Sequence, residues 1–204
     1  MEILDVVFEI IGTVAFAVSG AMVAIEKKMD MLGVAVLGTV TAVGGGILRD
    51  LCLGIAPPTA FVRPYYTLLA AAVSLIVFLP PIREKIKSTS FFEVVLLIMD
   101  SAGLGAFAMV GIHVAYTCNA GAFTMLMVGT FTGVGGGVFR DVLSNQMPYI
   151  FVKHFYCTAV LIGTAAAILL LKFIGEAAAL IAGALIIIVL RLLAAKFRWS
   201  LPKA

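Results

Sequence analysis

At 204 residues the chain has the length of one soluble domain, but 63% of its residues are apolar, only 12% are charged and the mean hydropathy is +1.17. That composition excludes a water-soluble globular fold and makes lipid the main solvent. The net charge of +3 says little as a total, because in a bilayer the informative quantity is how basic residues divide between the two faces.

A membrane helix needs roughly 20 apolar residues to cross the hydrocarbon core, and seven runs meet that length. The first, 5–25, opens with Glu2 and Asp5 rather than a basic leader, so it reads as a retained helix and not as a cleavable signal. The second, 31–53, ends in three consecutive glycines followed by Arg49 and Asp50. The third spans 60–79, and the fourth, 92–113, carries Asp100. The fifth, 121–143, repeats the glycines and ends in Arg140 and Asp141. The sixth covers 150–171. In the seventh, 177–195, the small residues Ala178, Ala179, Ala182 and Gly183 suit close helix packing, and we read it as scaffold or subunit contact. The connections are a handful of residues each, so the fold class is an all-α integral membrane protein whose function lies within its helices.

Seven spans put the termini on opposite sides. One face holds Lys27, Lys28, Arg83, Lys85, Lys87, Lys153, Arg191, Lys196, Arg198 and Lys203, and the other only Arg63 and Lys172. The positive-inside rule then places the C-terminus in the cytoplasm and the N-terminus outside. Cys52, Cys118 and Cys157 are scattered and odd in number, which argues against a disulfide framework or a metal site. His113 and His154 stand alone near span ends and read as interfacial residues.

Sliding the chain against itself by 91 positions aligns 38–50 with 129–141, and nine of these thirteen positions are identical. The match extends to Glu2 and Glu93, Glu9 and Asp100, Gly12 and Gly103, Phe16 and Phe107, Gly20 and Gly111, Pro57 and Pro148, and Tyr65 and Tyr156. Two three-helix units follow, about 1–82 and about 90–173, with the seventh helix (about 177–195) outside the repeat, all in one membrane domain. A unit with an odd number of spans makes its copy insert upside down, so the repeats are inverted.

The triplets Gly44, Gly45, Gly46 and Gly135, Gly136, Gly137 lack Cβ atoms, so they favour bending or local unwinding and let another helix or a solute approach the backbone. Freed backbone at membrane depth is tolerated only inside protein or along a water-filled cavity. Arg49, Asp50, Arg140 and Asp141 need partners there, since a charge facing lipid costs about 2 to 3 kcal/mol or more. Adjacent residues on a helix point about 100° apart, so each charge is expected to find its partner on another element. The paired carboxylates Glu9 and Asp100 are the candidates, and an inter-repeat salt bridge and a gating role are compatible readings. Inversion puts Arg49 toward the outer face and Arg140 toward the cytoplasm. Thr39, Thr41, Thr130 and Thr132 precede the glycines and either bond back to helix carbonyls or line a polar path, with Ser19, Ser101 and Tyr116 as further hydroxyls. The glycines form no nucleotide loop, because the Lys-Ser/Thr ending and a βαβ setting are both missing. No nucleophile and base pair or metal-ligand cluster stands out, so no enzyme activity, cofactor, metal or nucleic-acid partner is expected.

The duplicated triple-glycine Arg-Asp motif, 44–50 and 135–141, on a seven-span chain of about this length resembles the prokaryotic members of the trimeric intracellular cation (TRIC) channel family over essentially the whole sequence. The resemblance implies a homotrimer in the cell membrane, with a pore in each protomer lined by the glycine-kinked helices two and five and permeable to potassium and other monovalent cations. It further implies that the six glycines are the kinks and that Arg49, Asp50, Arg140 and Asp141 are the polar residues at constrictions. An arginine in a cation path must be neutralised by carboxylates or act as a gate. The competing expectation is a secondary carrier of a small solute such as glycine, with an arginine binding the substrate carboxylate.

Overall fold

The computed structural model describes residues 2–86, 89–152 and 155–199, which leaves Lys87, Lys153, His154 and Lys203 outside the described residues. Those residues form ten helices and no strand: α1 (Glu2–Glu26), α2 (Met31–Leu53), α3 (Thr59–Val62), α4 (Pro64–Phe78), α5 (Pro80–Ile86), α6 (Thr89–Thr117), α7 (Ala122–Leu143), α8 (Tyr149–Val152), α9 (Tyr156–Leu170) and α10 (Glu176–Lys196). Five of them, α1, α2, α6, α7 and α10, are long and apolar enough to cross a membrane. Their ends fall within a few residues of the runs read from hydropathy.

The third and sixth runs depart from expectation. Residues 60–79 are not one rod, because Pro64 occupies the first turn of α4 and lacks the N–H that a continuing helix needs, while Arg63 before it sits at φ −116° and ψ 73°. The chain therefore forms α3, breaks, and restarts as α4. Residues 150–171 likewise divide into α8 and α9, with Phe155 capping α9 in the left-handed region at φ 49°. At 15 residues each, α4 and α9 rise about 22 Å, short of the hydrocarbon thickness of about 30 Å. Pro80 and Pro81 open α5, where proline is tolerated, in a stretch that hydropathy leaves as a loop.

Local chemistry fixes the other ends. The Asp30 carboxylate accepts the Gly33 N–H at 2.7 Å and caps α2, which stops at Gly54 in the left-handed conformation with φ 70°. The hydroxyls of Thr41, Thr130 and Thr132 donate to the carbonyls of Leu37, Leu126 and Val128 at 2.6 to 2.7 Å, which satisfies them within their own helices.

In the packed bundle α1 lies against α2, α4 and α6, α7 lies against α2, α6 and α9, and α10 lies against α6 and α9. Phe16 and Phe107, with ring centroids 5.4 Å apart, fill the centre between α1 and α6. Each ring rests where the facing helix has no side chain: a Cβ at Gly12 would touch Phe107, and one at Gly103 would strike Phe16. The glycine triplets act in the same way. Both α2 and α7 continue as α-helix through them, so the local unwinding expected from three adjacent glycines does not occur. Their backbones instead approach closely, since a Cβ at Gly45 would collide with the Thr132 carbonyl and one at Gly136 with the Thr41 carbonyl. Helical hydrogen bonds survive because neighbouring helices fill the space that side chains would have taken.

Candidate functional site

Each motif arginine ends up in a cluster of carboxylates. Arg49, 4% exposed, donates from Nε to Asp50 Oδ1 at 2.8 Å, and its Nη1 lies 3.5 Å from Glu9 Oε1 on α1. Arg140, fully buried, donates from Nε to Asp141 Oδ1 at 2.9 Å and from Nη1 to Asp100 Oδ1 at 2.7 Å on α6. Arg140 Nη1 also donates to the Ser19 hydroxyl from α1. The expectation that each arginine pairs only with another element is corrected here. The three methylenes of arginine let Nε curl back to the next residue's carboxylate, so the 100° offset between Cβ directions does not separate them.

The aspartates reach forward as well. Asp50 Oδ2 accepts the N–H of Thr59, first residue of α3, at 2.6 Å, and Asp141 Oδ2 accepts the N–H of Tyr149, first residue of α8, at 2.8 Å. Each Arg-Asp pair thus links the end of a glycine-bearing helix to the start of the short helix that follows, through charge-assisted hydrogen bonds.

The two clusters differ in access. The first sets two carboxylates, Glu9 and Asp50, against Arg49, and the charge of the exposed Arg63 also acts on Glu9. Glu9 stays 20% exposed, beside a cavity of about 30 Å³ bordered by Thr13, Gly46, Arg49, Thr59 and Tyr66. Gly46 has open space where its Cβ would stand, with only Arg49 Nη2 at 3.9 Å, whereas Gly44 and Gly135 abut Phe139 and Leu48, and Gly137 the Tyr156 hydroxyl. The second cluster is sealed: Asp100 and Asp141 are each 1% exposed. It gains Arg191 of α10, whose Nη2 is 3.8 Å from Asp100 Oδ2 and whose guanidinium lies 4.7 Å from the centroid of the Tyr156 ring. Two carboxylates against two guanidinium groups leave it formally neutral.

Of the remaining expected residues, Thr39 is half-buried on α2, Ser101 is buried on α6, and Tyr116 is exposed beside an open cavity of about 460 Å³ at the end of α6. Two features escaped the sequence reading. Arg191 was counted with the cytoplasmic basic residues, yet it is 4% exposed inside the bundle. The signal was an arginine within an otherwise apolar helix. His113, read as lone, has Nε2 3.0 Å from Asp5 Oδ2 and Nδ1 2.6 Å from Glu176 Oε1. These partners lie 108 and 63 positions away, and no local spacing announces them.

Two stretches of the chain, 6–80 and 97–172, match the model of a protein family described as Glycine transporter. Among curated relatives, the UPF0126 inner membrane protein YadS of Escherichia coli K12 is 37% identical over 155 residues, covering 76% of this chain and 73% of that protein. A UPF0126 membrane protein of Deinococcus radiodurans is 37% identical over 90% of this chain and 84% of its own length. Among solved structures, a TRIC cation channel studied for its conductance superposes with a TM-score of 0.85 at 42% identity, covering 97% of this chain and 96% of that one. A prokaryotic TRIC channel crystallised in 0.5 M KCl superposes at 0.90 with 32% identity, covering 98% and 100%. The TRIC orthologue of Rhodobacter sphaeroides superposes at 0.88 with 33% identity, covering 95% and 98%. With its apolar helices, the chain is a multi-pass membrane protein.

Proposed function

The chain belongs to the prokaryotic trimeric intracellular cation channel family, and from that membership we propose that it conducts monovalent cations, potassium among them, through a pore within each protomer along α2 and α7. The observation that carries this reading is the neutralisation of both motif arginines. Arg49 and Arg140 are each tied to two carboxylates, which removes the repulsion that a free guanidinium would exert on a cation. At about 30 Å³ the cavity beside Arg49 has room for about one water, so conduction requires α2 and α7 to move apart at their glycine crossing. In this reading the six glycines are the point of movement, Arg49, Asp50, Arg140 and Asp141 with Glu9 and Asp100 form the two constrictions, and Thr39, Thr41, Thr130 and Thr132 line the approach to them.

The same reading assigns seven spans in two inverted repeats, with α10 as the seventh, in one membrane domain. The reciprocal contacts support it: Gly12 against Phe107 and Phe16 against Gly103, then Gly45 against Thr132 and Gly136 against Thr41, are pairs that a two-fold operation exchanges. In this reading the N-terminus faces outward and the C-terminus the cytoplasm of a prokaryotic cell, and three chains assemble in the plasma membrane, in keeping with the trimeric channel of Rhodobacter sphaeroides.

Carriage of glycine is the second reading, favoured by the description of the matching family. Against it, both arginines already hold carboxylates. Liposomes bearing the purified protein separate the readings. Potassium efflux without accumulation of labelled glycine is the expected result, and saturable glycine uptake with no ion flux contradicts the channel.

A further inference from the structure

We propose that His113 is a proton-binding latch, whose imidazolium, held between Asp5 and Glu176, ties the starts of α1 and α10 to the last turns of α6. The geometry of this ring is independent of what the protein conducts. Both ring nitrogens lie within hydrogen-bonding distance of a carboxylate oxygen, Nε2 of Asp5 at 3.0 Å and Nδ1 of Glu176 at 2.6 Å. A neutral imidazole has one N–H and one lone pair, and an ionised carboxylate only accepts. The two contacts are satisfied together only when the ring carries both protons, and loss of one proton turns a hydrogen bond into a lone pair facing an anionic oxygen.

Among the described residues, the elements packed on α6 bring two ionisable groups to this ring, Asp5 from α1 and Glu176 from α10. α7 carries Arg140 and Asp141 at its opposite end, and α9 carries Tyr156 and Cys157 at its opposite end and is followed by exposed Lys172. Arg49 and Asp50 of α2 are engaged with Glu9 and Thr59. Because the ring's two nitrogens point to separate carboxylates on opposite sides, the three groups do not converge on one point, and no metal cluster exists among the described residues. The ligand is therefore a proton. It has access, since His113 is 16% exposed and Glu176 borders the open cavity of about 460 Å³ near Tyr116 and Asn119. Asp5 lies one turn from Glu9 on α1, so the latch sits directly beside the Arg49 cluster.

The sign follows from the charge state. The tie is complete while the ring carries both protons and is lost when one of them leaves. Full-length protein in detergent should therefore have a higher unfolding midpoint in acidic than in basic buffer, by about 2 to 4 °C beyond what H113Q shows. E176Q supplies an amide that donates to a neutral ring, so it keeps the tie and flattens the pH dependence, which a merely structural contact would not do. H154Q keeps the wild-type profile and leaves His113 as the sole histidine of the chain's two. Its imidazole ¹⁵N spectrum should show both nitrogens protonated at the acidic end and one at the basic end, in step with the midpoint. An H113Q profile that tracks wild type, an E176Q profile with undiminished pH dependence, or a singly protonated ring throughout would overturn the latch. Should H113Q fail to fold, E176Q and the H154Q spectrum still decide.

Discussion

Arg140 and Arg49 occupy equivalent positions in the motif but different solvents, and substitution should separate them. Arg140→Ala leaves Asp100 with only Arg191 at 3.8 Å and Asp141 with only the Tyr149 N–H, both carboxylates 1% exposed, and breaking a buried pair in this way costs about 3 to 5 kcal/mol. Arg49→Ala leaves Glu9 hydrated at 20% exposure and Asp50 still bonded to the Thr59 N–H, so its stability loss should be less than half as large, read from unfolding midpoints in detergent. Its signature belongs to conduction, as does that of Glu9→Gln: the first raises and the second lowers the preference for cations over anions in reversal-potential measurements, because they change the net charge beside the cavity in opposite directions. At this scale the sequence exposed Glu9 and Asp100 as partners because they repeat at the same offset as the arginines. It concealed the Arg-Asp neighbour bond, which depends on side-chain length, and the grouping of Arg191 with Asp100 and of His113 with Asp5 and Glu176, which tertiary packing alone creates.

Helices α2 and α7 cross through their glycines, and the three positions of each triplet are not equivalent. Gly45→Ala and Gly136→Ala drive a methyl into a backbone carbonyl that has no rotamer to yield, whereas Gly46→Ala meets nothing closer than Arg49 Nη2 at 3.9 Å. The first two should each lower stability by about 1 to 3 kcal/mol, as overpacking does. Gly46→Ala should leave the unfolding midpoint within about 2 °C of wild type, helped by alanine's helix propensity. The length of apolar runs marks the long helices to within a few residues, but it treats a proline-interrupted apolar run as continuous. Pro64 marks the break in the sequence, but hydropathy averages across it. The continuity of α2 and α7 through three glycines was equally hidden, because propensity favours unwinding there and the close backbone of a partner helix overrides it.

For the whole molecule, the proposed orientation, C-terminus inward and N-terminus outward, puts the end of α2 and the end of α6 on the outer face. Cys52 and Cys118 are exposed at those two ends, and Cys157 at the start of α9 is half-buried. A membrane-impermeant maleimide added to intact cells should therefore label Cys52 and Cys118 and spare Cys157, and labelling of Cys157 alone would reverse the assigned orientation. Ion conduction is the central proposed property of the protein. Purified protein in a planar bilayer, recorded in a potassium chloride gradient, tests it directly. Unitary currents reversing near the potassium equilibrium potential are the predicted result. Reversal near the chloride potential, or silence from protein shown to be inserted and trimeric, would contradict it.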